Sequence, residues 1–152
     1  MRIIYDLDEM TETARGWLAG GSVGLIAVTS NLHAGHLALV RSSLQECELS
    51  VVSIVDHSLQ IDAEQALTYV PLRLAANLQL LDQEHVDVVF IPRLHDFYPP
   101  GFATKIVPFG PIAERLEGAI QPKVMRNVAT SMTKLFQLIR PDKVFLESVM
   151  NF

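Results

Sequence analysis

A chain of 152 residues and 16.9 kDa can bury one sizeable core, and 49% hydrophobic against 19% charged residues excludes a disordered polymer. A formal net charge of -5, with no lysine- or arginine-rich block, argues against a nucleic-acid partner but leaves room for a local phosphate pocket. No apolar run approaches the ~20 residues that span a bilayer, and the acidic start "MRIIYDLDEM" lacks a signal-peptide layout. Cys47, the single cysteine, has no internal disulfide partner, so a cytoplasmic protein without membrane contact is expected.

In chain order, short Val- and Ile-rich runs predict strands at 2–6, 23–28, 49–55, 86–92 and 143–146. Segments of helical period lie between them. Leu37, Val40 and Leu44 form one apolar stripe, and Leu74, Leu78 and Leu81 another. The longest is 123–140, where Val124, Val128, Met132, Leu135 and Ile139 share a face and Pro141 stops the helix. "FYPPGFA" at 97–103 reads as a rigid, turn-rich connection. Strands alternating with helices imply βαβ crossovers, hence a doubly wound α/β fold with a mainly parallel sheet, in one domain over 1–152.

The stretch "TSNLHAGHLALV" at 29–40 places His33 and His36 where the second strand hands over to a helix. Ligands of open α/β sheets bind beyond the carboxyl ends of strands. Unpaired N–H groups and the helix dipole favour an anion there, and imidazoles at spacing i, i+3 can face one phosphate chain. Gly35 between them would let a flat group such as adenine approach the backbone. The plainer reading keeps His33 as a helix cap and His36 as a surface residue, and both stay open at this point. No metal ligand set is assigned, since neither the other histidines nor Cys47 supply a recognisable pair. His85 reads as a solvated helix end, His95 as a loop residue beside Asp96, and Cys47 as packing. His57 falls in the second strand-to-helix loop, facing the same mouth.

Beyond these patterns, the whole chain resembles the N-terminal domain of the pantothenate synthetase (pantoate–β-alanine ligase) family, of the nucleotidyltransferase superfamily. "VGLIAVTSNLHAGHLALVR" is similar to that family's strand and "PTMGALHxGHLxLV" loop, and "VVSIVDHSLQI" to its "VVSIFVNPxQF". "VDVVFIP" and "FYPPGFAT" are similar to "VDxVFxP" and "MYPPGFxT". "QPKVMRNVATSMTKLFQLIRPDKVFL" is similar to "RPGHFRGVxTVVxKLFNLVxPDxAYF". The resemblance implies a Rossmann-like HxGH domain that forms a homodimer. It also implies a two-step reaction in which ATP, with Mg2+, adenylates pantoate and β-alanine displaces AMP. It places His33, Gly35 and His36 on the nucleotide, with the two histidines steadying charge on phosphorus, and Gln60 and Arg126 in the substrate pocket.

The departures fall where that chemistry would be. The family's Pro-Thr-Met-Gly is Ala27-Val28-Thr29-Ser30, its asparagine and proline of the second loop are His57 and Ser58, and its "NED" stretch reads Glu64-Gln65-Ala66. In "RPGHFRG" only Pro122 and Arg126 keep their places. The family continues into "GEKDYQQ", whose lysine and aspartate hold ATP phosphates and magnesium. Aligned without gaps, this chain has Val149 and Met150 there, with Phe152 at the pantoate-holding glutamine. No C-terminal lid domain is expected within the 152 residues. Catalysis by this chain alone is therefore expected to be weakened or lost. The alternatives are a non-catalytic homologue that binds a nucleotide or small hydroxy acid, a dimeric scaffold needing a partner, or a cut piece of a longer enzyme.

Overall fold

A computed structural model of the chain describes residues 1–17, 20–28, 32–55, 74–111, 113–115 and 122–147. Within them all five expected strands form: β1 (Arg2–Ile4), β2 (Val23–Val28), β3 (Leu49–Ile54), β4 (Val88–Phe90) and β5 (Lys143–Phe145). Every pairing is parallel, in the order β1-β4-β3-β2-β5. The described helices are α1 (Leu7–Trp17), α2 (Ala34–Glu46), α3 (Leu74–Gln83), the single turn α4 (Leu94–Phe97) and α5 (Pro122–Ile139). The apolar stripes anticipated α2, α3 and α5 but not α1. That helix is set by Asp6, whose Oδ1 accepts the N–H groups of Asp8 and Glu9 at 3.0 Å each. The same cap ends β1 at Ile4, two residues before the sequence pattern runs out.

Neighbouring strand residues feed opposite cores, as a period of two requires. Leu25, Val51 and Val88 pack with Met10 and Ala14 of α1 and with Leu135 and Ile139 of α5. Ile26, Val52 and Val89 pack with Val40 of α2 and Leu81 of α3. Helices thus cover both faces of the sheet. The expected doubly wound α/β architecture is the one observed.

Two aspartates finish the rim of the sheet where strands begin. Asp87, just ahead of β4, accepts the Ser50 N–H on Oδ2 at 2.8 Å; Asp142, just ahead of β5, accepts the Val23 N–H at 2.8 Å. Each supplies an acceptor to an amide at the start of the neighbouring strand. The "FYPPGFA" segment is held by Lys134 of α5. Its ammonium lies 4.6, 5.0 and 4.4 Å from the ring centres of Phe97, Tyr98 and Phe102 and donates to the Phe97 carbonyl. Burial lowers the Lys134 pKa and pushes Tyr98 up to about 12. His85 is exposed at the end of α3 with φ 60°, in keeping with its plain reading; His95 is exposed and 3.4 Å from Asp96 as expected, but it stands on the helical turn α4 and not in a loop.

Helix α2 lies unusually close to β2. The buried hydroxyls of Ser43 and Ser50 meet at 2.7 Å. A Cβ on Gly24 would overlap the Ser43 hydroxyl and press on Cys47 Sγ at 3.1 Å and Phe145 at 3.2 Å. This close approach fixes where the N-terminus of α2 stands. Gly24→Ala is expected to lower stability by roughly 1–3 kcal/mol through overpacking, measured by urea denaturation.

Candidate active site

Strand order creates the site. From β2 the chain runs through α2 on one face to β3, whereas β5 pairs on the other side of β2 and is reached through α5 on the opposite face. Beyond the carboxyl ends of β2 and β5 lies the topological switch point, the usual ligand crevice of such sheets. Ile26 pairs with Phe145, so the chain leaving β2 toward α2 and the chain leaving β5 emerge side by side.

The approach to α2 is fastened by buried Asn77 of α3, whose Oδ1 accepts the Leu32 N–H at 3.4 Å. His33 is the N-cap of α2, extended at φ -137°, and its Nδ1 accepts the Gly35 N–H at 3.2 Å. In a neutral ring that bond leaves the proton on Nε2. His36 lies in the first turn, its ring centre 3.9 Å from that of His33 with the planes 38° apart. The His33 side chain is 51% exposed and that of His36 only 11%, so one ring faces the crevice mouth and the other its wall. The helix-cap part of the plain reading is correct, but its surface placement of His36 is not.

Both rings converge on Glu147, two residues past β5. His33 Nε2 lies 3.3 Å and His36 Nε2 3.5 Å from the same oxygen, Oε2. Desolvation lowers the His36 pKa and the neighbouring His33 lowers it further, while Glu147 works in the opposite direction. His36 Nδ1 is buried with no hydrogen-bond partner among the described residues. Gly35 makes the arrangement possible. A Cβ there would stand 3.0 Å from the His33 ring and 3.1 Å from Glu147 Oε1, so the bare backbone is covered by this chain's own ring and carboxylate.

Of the other expected site residues, Arg126 alone is among those described. Arg126 is exposed on the first half of α5, and no described contact joins its guanidinium to the histidines; its carbonyl accepts the Thr130 hydroxyl at 2.7 Å. Gln60 and His57 lie outside the described residues. Sequence reasoning missed Glu147. It is 111 positions from His36, and only the β2–β5 pairing brings it in.

The family model for pantoate–β-alanine ligase matches residues 2–147. The chain belongs to the pantoate–β-alanine ligase family. The pantothenate synthetase of Roseiflexus sp. (strain RS-1) is 40% identical over 145 residues, 95% of this chain and 51% of that protein. That of Syntrophomonas wolfei is 34% identical over 146 residues, covering 95% and 52%. Among solved structures, the Thermus thermophilus enzyme superposes with a TM-score of 0.79 at 34% identity, over 95% of this chain and 51% of that one. The Francisella tularensis ligase, complexed with β,γ-ATP and β-alanine, gives a TM-score of 0.84 at 27% identity, covering 95% and 55%. The chain thus spans about half the length of the curated relatives it matches. On the ungapped reading that sets Val149 against the ligase family's lysine, Glu147 takes the place of its glycine, and a carboxylate stands where the family pattern has no side chain.

Because folded His36 titrates below its ordinary 6.5, an unfolded chain takes up that proton first as the pH falls. The stability contributed by His36 is therefore present above 6.5 and is lost as the pH drops through the folded value. In Glu147→Gln the raising effect of the carboxylate disappears, and His36 is expected to titrate at lower pH still, read from its ring protons by NMR.

Proposed function

We propose that this chain carries the nucleotide-holding half of a ligase that condenses pantoate with β-alanine using ATP. The observation that supports this best is the convergence of two imidazole nitrogens on one anionic oxygen, at a helix N-terminus, beside the switch point. A phosphate oxygen suits the place that Glu147 Oε2 now takes. His33 and His36 would grip the triphosphate and steady the charge that builds on phosphorus as the pantoate carboxylate attacks. Mg2+ would accompany the nucleotide and neutralise part of its charge. Gly35 would offer its backbone once the carboxylate is displaced, and Gln60 and Arg126 would serve the pantoate pocket. A homodimer in the cytoplasm is the setting proposed; among the described residues no helix is long and apolar enough to cross a membrane.

One observation favours a second reading, binding without efficient turnover. The Glu147 carboxylate is a like charge for any phosphate entering between the histidines, and it must swing away or be displaced. A like charge ~4 Å distant opposes binding by about 1–4 kcal/mol near a protein surface.

Calorimetric titration of ATP with Mg2+, with and without pantoate, tests both readings. Binding by the chain is expected, with loss in His33→Ala/His36→Ala and tightening by roughly tenfold in Glu147→Gln. If binding is found, pantoate-dependent exchange of pyrophosphate into ATP separates a ligase from a binder. No heat at millimolar ATP from the folded chain would sink the nucleotide reading.

A further inference from the structure

His33, His36 and Glu147 each offer one ligand atom, and these atoms all lie within 4.8 Å of one another. The donors are two imidazoles and a carboxylate, a set suited to a zinc-class ion and poorly suited to Mg2+, which takes oxygen ligands and keeps its waters. Spacing agrees. With bonds of about 2.0–2.1 Å, two ligands of a tetrahedral zinc stand roughly 3.3 Å apart. The distances from Oε2 to the two Nε2 atoms are 3.3 and 3.5 Å. A charge-assisted N–H···O bond would close to about 2.7–2.9 Å instead. His36 is a buried ring whose Nδ1 has no partner among the described residues, so Nε2, 3.5 Å from Glu147 Oε2, is the nitrogen it offers to the cluster. With the proton on that Nδ1, the Nε2 lone pair faces a carboxylate, an arrangement that a cation between them turns from repulsive to attractive.

We propose that His33 Nε2, His36 Nε2 and a Glu147 oxygen form a three-ligand site for a divalent transition ion of the zinc class, its fourth position open at the crevice mouth. The open position follows from the exposure of His33, and it would take water or an anionic oxygen. Coordination through Nε2 moves the His33 proton to Nδ1, so the 3.2 Å bond from the Gly35 N–H is given up. The inference goes beyond the nucleotide reading and does not rest on it.

The test is titration of the folded 152-residue chain with Zn2+ in a buffer free of phosphate, paired with Co2+ absorption spectroscopy. One ion per chain at micromolar affinity or tighter is expected, with the intense visible bands of four-coordinate Co2+. Glu147→Gln and His36→Ala should each weaken binding by at least roughly tenfold. A chain without the cobalt bands, or Glu147→Gln binding as tightly as the parent, overturns the proposal. Glu147→Gln moves the two ligands in opposite directions, weakening the ion and tightening ATP. Failure of one reading is therefore distinguishable from failure of the other.

Discussion

The close contact between α2 and β2 is what the crevice depends on. A helix rests against the backbone of a strand because Gly24 has no side chain, and the hydroxyls of Ser43 and Ser50 bond to each other beneath it. At ordinary helix-to-sheet spacing, the start of α2 would be tilted or lifted from the carboxyl edge of the sheet. The cap and first turn would move with it. His33 and His36 therefore hold their place at the edge of the sheet through Ser43, seven to ten positions farther along the same helix.

Charge placement follows the same logic of shared supports. Asp87 and Asp142 each sit one residue ahead of a strand, and each serves the strand beside it. A carboxylate in that position fixes register as well as satisfying an amide, because a slip by one residue would remove its donor. Lys134 does comparable work on the other face, tying the Pro-rich connection to α5 through three aromatic rings and a carbonyl. It lets a segment with few backbone bonds of its own keep one shape.

Much of the fold was legible because it depends on local pattern. Runs such as "VGLIAV" and "LSVVSI" are apolar on both faces and can only be buried strands, and Pro141 marks the end of α5 without ambiguity. The cap role of His33 was also legible, since it needs only neighbours in sequence. Three things were not. The length of β1 was set by a competing helix cap at Asp6. The burial of His36 depends on what packs over the first turn of α2. The arrival of Glu147 depends on β5 choosing the outer side of β2, a pairing between segments more than a hundred residues apart. Position after a strand singled out the histidines, and resemblance to the ligase family gave them an expected role. It could not locate a carboxylate where the family pattern has a glycine.

Glu147 follows one of the two short edge strands of the sheet. β5 has three residues, borders only β2, and keeps Lys143 and Val144 exposed. Its fastening to the sheet rim, at Asp142, is at the opposite end from the crevice. Local opening of an edge strand requires far less free energy than global unfolding. Fraying of β5 from its carboxyl end would carry the carboxylate away from both imidazoles at the expense of the Phe145 packing, while leaving α2 and its cap in place. Withdrawal of the carboxylate from the histidine pair is thus an event local to one short strand and its following residues, and it does not require the domain to open.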